Sequence, residues 1–272
     1  MIQTIHLFRP LNQKLIELLR SLDPPDWSRR TIAREWQVRD IAAHLLDGSL
    51  RSISLYRDHH ELPEEELKDY GEIVAYLNRL NAQWVTAMRR VSPALLIEWM
   101  ESSHEAYVQC LEQLDPMAPA KYSVAWAGES VSLNWFHVAR EYTEKWHHQQ
   151  QIREAIGQQG ILTPEFYPPA LNTFFLALPY AYRSVTAPIG TRITIVVDSQ
   201  AGGQWTLVRH ESGWEFSSED SLKPDASIQL PASLAWKLLT KGVRVETVRD
   251  QLQLSGPDAL TLPALRLIAV MA

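Results

Sequence analysis

Two stretches of the chain decide how it is read: Trp36-Gln37-Val38-Arg39-Asp40-Ile41-Ala42-Ala43-His44-Leu45 and Glu144-Lys145-Trp146-His147-His148-Gln149-Gln150-Gln151-Ile152-Arg153. In the second, Glu144 and His148 are four residues apart, so on a helix one lies a turn above the other. A carboxylate and an imidazole so placed can grip one divalent ion, and His44 on another helix would close one side of it. Two histidines and one carboxylate leave coordination positions free for water or substrate, the layout of a catalytic rather than a structural metal site.

Helical geometry sharpens this. At about 100° per residue with Trp135 as zero, Val138, Ala139, Tyr142 and Trp146 fall within about 60°, as one apolar stripe. His137, Glu141, Glu144 and His148 fall between about 180° and 240°, on the opposite side. The plain alternative is a solvated polar face. Ile152 and Ala155 continue that polar stripe, however, so part of it is expected to face a core. His44 lies beside Leu45, one turn beyond Ile41, where a lone histidine is ordinarily a core residue bonded to a carbonyl. The three together are harder to explain that way.

The same two segments resemble the two signature segments of the DinB/YfiT-like four-helix bundle superfamily, and within it the mycothiol-dependent maleylpyruvate isomerase branch. The resemblance implies that His44, Glu144 and His148 bind a divalent ion: zinc first, with nickel, iron or manganese as alternatives, since imidazole and carboxylate suit all four. It covers about the first 160 residues. Trp205, Asp225-Ala226-x-Ile228, Leu230-Pro231-Ala232 and Ala235-Trp236-x-Leu238-Leu239 extend it, resembling that branch's small α+β, sterol-carrier-like C-terminal domain. Relatives commonly carry Asp three residues after the last histidine, where this chain has Gln151. That position orients the ligand histidine; an amide can do the same, with altered affinity and chemistry.

Composition bounds the rest. The chain has 272 residues, 46% hydrophobic and 21% charged, an ordinary soluble globular balance. A formal charge of −6 and the lack of a Lys/Arg run argue against a nucleic-acid partner. No apolar run approaches the roughly 18 to 20 residues of a membrane span, and the N-terminus does not read as a signal peptide. Cys110 is the single cysteine, so no intrachain disulfide is possible and a cytoplasmic location is the default. Cys110 itself reads as a buried small residue. Ten tryptophans point to large aromatic cores.

Up to about residue 185 the apolar spacing is helical. It predicts helices around Leu11–Leu22, Val38–Tyr56, Ile73–Met88, Pro93–Leu114 and Leu133–Ile156, the last closed by Gly157. A further helical stretch opens at Pro164 and runs through Leu178. Beyond, alternation predicts strands at Arg192–Asp198, Gln204–Arg209, Gly213–Phe216, Asp225–Leu230 and Leu252–Leu254, with helices after Pro231 and Pro257. The expected fold is α+β and multidomain. It has a bundle of four nearly antiparallel helices over 1–160, a helical connector over 161–185 and a smaller antiparallel-sheet domain over 186–272.

Other candidates read as structural. His147 points about 100° from His148 and is expected at the surface. His59 and His60, next to the acidic run Glu61–Glu66, read as a solvated helix end. Glu141 is an alternative ligand or a partner of one. Arg244 and Arg249 are expected in solvent, with a role facing the metal as the alternative. No residue is assigned as catalytic.

The resulting expectation is a thiol-dependent isomerase or transferase of a small organic substrate, with a low-molecular-weight thiol as partner and the substrate in a cleft between the domains. The alternatives are a metal-dependent hydrolase with the same ligands, or a non-enzymatic binder of a metal or small molecule. No membrane partner is expected, and oligomeric state is not legible.

Overall fold

The computed structural model describes residues 1–61, 69–217 and 222–271. The greater part of the acidic run Glu61–Glu66 lies outside them. The chain divides into two compact units, one comprising 1–122, 132–160 and 271–272, the other 123–131 and 161–270.

The first unit is helical: α1 (Phe8–Arg20), α2 (Val38–Tyr56), α3 (Tyr70–Met88), α4 (Pro93–Glu112) and α5 (Asn134–Ala155). α1 packs on α4 and α5, and α2 packs on the same two helices, so these four close a ring; α3 lies against α2. The helix starts are written locally. At α2 the Gln37 side chain and Asp40 form a capping box, with Asp40 Oδ2 accepting from the Gln37 N–H at 3.1 Å. Asp69 caps α3 by accepting from the Glu72 N–H at 2.9 Å. Ser92 caps α4, whose first turn holds Pro93. Gly157, with φ of +69°, follows α5 in the left-handed conformation that glycine adopts without a Cβ penalty. The core joins Leu15, Leu19, Val38, Ile41, Leu45, Leu46, Met100 and Ile152.

α5 is buried on both sides. Tyr142 and Trp146 are fully enclosed, and so nearly are His137, His147, His148 and Gln151 across the helix. The polar stripe is therefore not a solvated face. Its groups pair within the bundle instead: the Tyr56 hydroxyl meets His137 Nε2 at 3.0 Å, and the Tyr107 hydroxyl donates to Glu141 at 3.2 Å. Arg140 donates to the same carboxylate at 3.2 Å. Burial of polar groups is tolerated where each finds a partner.

The second unit is built on a five-stranded sheet: β1 (Arg192–Asp198), β2 (Gly203–His210), β3 (Gly213–Ser217), β4 (Ala226–Pro231) and β5 (Gln253–Ser255), in the order β3-β2-β1-β4-β5. The expected wholly antiparallel sheet is corrected here. β1 and β4 run parallel, Ile195 opposite Ile228, and the other pairs are antiparallel. Alternation such as Ile193, Ile195 and Val197 assigns a strand's faces, not its direction, so the sequence pattern could not distinguish the two pairings. Between β1 and β2, a Cβ on Gly202 would run into the Val197 carbonyl, so the tight connection requires glycine.

Helices α6 (Tyr167–Phe175), α7 (Leu178–Ala181), α8 (Ala232–Leu239) and α9 (Asp258–Leu265) complete this unit. The helical stretch over 161–185 thus counts with the sheet. α8 and α9 both pack on β1 and β4, and Trp236 of α8 is fully buried. The Tyr182 hydroxyl donates to the Leu260 carbonyl at 2.6 Å, and Trp214 Nε1 to that of Val185 at 3.0 Å. Among the described residues, no helix is long and apolar enough to cross a membrane.

Candidate metal centre

His44 comes from α2, two turns past its capping box; Glu144 and His148 come from successive turns of α5. The packing of α2 on α5 brings them together. One donor atom from each of the three lies within 4.8 Å of the others. Among the described residues this is the one group of three or more histidine, cysteine or acidic side chains so arranged. Donors around one ion at about 2.0–2.2 Å are at most about 4.4 Å apart, so closing the set takes small side-chain adjustments, not a rearrangement of helices.

The donor chemistry fits a divalent cation. His148 Nδ1 is 2.8 Å from Gln151 Oε1; the amide oxygen can only accept, so this nitrogen carries the hydrogen. The ring's other nitrogen, Nε2, then faces Glu144 Oε2 at 3.5 Å. Gln151 thus occupies the orienting position that the sequence left in question. His44 Nδ1 is buried with no hydrogen-bond partner. An orphaned buried nitrogen is uncommon and marks a functional constraint on the ring. Burial, followed by the neighbouring His148, holds the His44 imidazole well below its usual range, so it is neutral near pH 7, as a ligand must be. Burial works to raise the Glu144 carboxyl, but His147, His148 and His44 outweigh it and hold it below the usual carboxylate range. The site therefore encloses a carboxylate among imidazoles.

The surroundings revise several sequence expectations. His147 is buried rather than at the surface; its Nδ1 donates to the Thr143 carbonyl at 2.8 Å and its ring lies 3.9 Å from that of His148. Its neighbours along the helix, Thr143, Trp146, Gln150 and Gln151, are buried with it, so its side of α5 does not face solvent. Glu141 is taken up by Arg140 and Tyr107 and is outside the donor group. His59 and His60 are exposed, and Cys110 is buried. Arg244 is exposed, and Arg249, also exposed, pairs with Asp258 at 2.6 Å.

Two neighbours went unread in the sequence. Lys145 Nζ donates to the Leu45 carbonyl at 2.6 Å and to Ser49 Oγ at 2.8 Å, tying α5 to α2 beside the site. Its burial, opposed by Glu141, Asp47 and Glu144, pushes its pKa down to about 8. Trp36 lies over the histidines, its ring 4.8 Å from that of His44 and 5.8 Å from that of His148. Its spacing of eight residues from His44, just over two turns, is the one sequence signal of that contact.

Residues 8–153 match the family model of the mycothiol maleylpyruvate isomerase N-terminal domain. The chain belongs to this family. The resemblance read from the two signature segments is borne out. Among solved structures, the mycothiol-dependent maleylpyruvate isomerase in a histidine-to-alanine mutant is similar over 92% of this chain and 91% of that one, with TM-score 0.55 and 11% identity. A second structure of the mycothiol-dependent maleylpyruvate isomerase matches with TM-score 0.53 and 10% identity, covering 86% of each chain. At such identities the likeness shows a shared fold, and it spans both units. No curated protein matches the chain.

Proposed function

We propose that this member of the mycothiol maleylpyruvate isomerase N-terminal domain family is a divalent-metal enzyme that uses a small thiol to isomerise, or transfer a group to, a small organic substrate. His44, Glu144 and His148 are its metal ligands, with zinc the first choice of ion. The observation that carries this is the convergence of the three donors, with Gln151 holding the His148 ring so that Nε2 faces the site. A bound divalent ion would supply the lowered pKa that makes a thiol or water a nucleophile at neutral pH.

The chain's own residues do the rest. His44 and Glu144 present a neutral imidazole and a carboxylate, the forms that bind metal without first releasing a proton. Lys145 fixes the separation of α2 and α5, and with it the distance between His44 and the Glu144–His148 pair. Three protein ligands leave room for the thiol and substrate. A thiolate that adds to a conjugated double bond leaves a rotatable single bond while attached, and its departure regenerates the thiol. A thiol can therefore serve such an isomerisation as a cofactor.

The test is metal analysis of protein purified without a His-tag or chelator, followed by turnover of maleylpyruvate with mycothiol, with other small thiols and with none. Stoichiometric metal and thiol-dependent isomerisation are expected. Hydrolysis without thiol would move the reading to a metal-dependent hydrolase, and failure to bind any divalent ion would overturn it.

A further inference from the structure

His148 and His44 are held in different ways. The His148 ring is oriented by a hydrogen bond through Nδ1 to Gln151. The corresponding atom of His44 is buried and has no such bond. Metal-binding imidazoles ordinarily donate their second nitrogen to an acceptor, and that bond sets the ring's orientation. At His44 rings take that place: Trp36 at 4.8 Å with its plane tilted by 43°, and the edge of His148 at 4.8 Å and 75°.

Trp36 is itself firmly placed. Its carbonyl accepts from the Thr31 N–H at 3.2 Å and from Thr31 Oγ1 at 2.9 Å. Its N–H donates to the Ala33 carbonyl at 2.7 Å, and Arg30 pairs with Gln37 in an antiparallel bridge alongside. The Gln37–Asp40 capping box then fixes where α2 begins relative to this turn. Backbone hydrogen bonds thus aim an indole at a ring two turns into the helix. Trp36 also spans both ligand histidines, so one side chain limits the tilt of each.

We infer that Trp36 is a positioning residue for His44, holding the imidazole by ring packing where a hydrogen bond to its second nitrogen is absent. The inference rests on the reading of His44 as a metal ligand. It implies that the site has two differently built halves: a hydrogen-bonded His148 that tolerates a change of acceptor, and a packed His44 that needs a flat side chain at position 36.

The experiment compares wild type with Trp36→Phe, Trp36→Leu and, as a packing control, Leu22→Ala, which trims another side chain against the same core. Zinc affinity is measured by calorimetry, and His44 ring signals by NMR of metal-free, histidine-labelled protein. Trp36→Leu should weaken zinc about 10-fold or more, within the range typical of supporting residues around a metal. Trp36→Phe should stay close to wild type, and Leu22→Ala should lower thermal stability without changing zinc affinity. In metal-free Trp36→Leu, the His44 ring signals should broaden or split while those of His137 stay as in wild type. A single sharp wild-type set of His44 signals in Trp36→Leu, or zinc affinity unchanged in that variant, would overturn the inference. If wild type binds no metal, the ligand reading fails, and the metal-free spectra still judge whether Trp36 holds the ring.

Discussion

Replacing Gln151 by leucine tests how the His148 half of the site works, because the cost should fall on the metal-bound state. In the metal-free protein the His148 ring has an escape. Without the Gln151 acceptor 2.8 Å from Nδ1, its proton can move to Nε2 and point at Glu144, 3.5 Å away. The loss of stability should therefore be small. With a metal on Nε2 the escape closes, and a buried Nδ1–H is left without a partner, since His148 is only 7% exposed. An unpaired buried donor costs about 1–3 kcal/mol. At about 1.4 kcal/mol per factor of ten, that corresponds to roughly 5- to 150-fold weaker zinc binding. Calorimetric zinc titration and metal-free thermal melts of wild type and Gln151→Leu separate the two effects. Unchanged zinc affinity, or a large drop in metal-free Tm with affinity intact, would refute the argument. Gln151→Asp should move the other way, keeping or strengthening zinc affinity by about 10-fold, because a carboxylate accepts the N–H more strongly. It should lower the metal-free Tm, because it adds a second buried anion near Glu144.

His148→Ala should abolish zinc binding by calorimetry, and with it any thiol-dependent turnover, since two protein ligands hold a labile divalent ion poorly; wild-type affinity would remove His148 from the site. Burial pushes His137 and His147 down to about 4, so between pH 6.5 and 4 the unfolded chain binds protons that the folded one refuses, and stability falls as pH falls. Two such groups give a slope of up to about 2.7 kcal/mol per pH unit, and urea midpoints that stay flat from pH 6.5 to 5 would contradict it. Asp40→Ala removes both the capping contact to the Gln37 N–H and the Arg89 partner at 3.3 Å. It should cost about 1–2 kcal/mol, a Tm fall of about 2–8 °C, and an unchanged melt would show that the cap is dispensable.

The helices were legible because their signals are local. Val38–Tyr56 was read to its exact ends, Pro93 marked the start of α4, and Gly157 closed α5. Strand positions were legible for the same reason, and the two signature segments carried the family. The sheet's pairing was not, because alternation in β1 and β4 is identical whichever way the strands run, and only the tertiary arrangement sets β4 parallel to β1. Nor was the burial of His147: a helical wheel gives a residue's direction but not what lies in that direction, and the side of α5 that carries His147 proves to be enclosed. The same limit applies at the candidate site. Helix geometry put Glu144 and His148 on one face, since it fixes neighbours four apart, and the resemblance of the two signature segments named His44 as their partner. That His44 arrives within 4.8 Å and that Trp36 covers both rings are consequences of α2 packing on α5 and of the turn around Thr31, and that the Gln151 amide turns its oxygen to accept the His148 Nδ1–H is settled by the packing around α5. Contacts between residues a hundred positions apart carry no periodic signal in the chain, and only packing decides them.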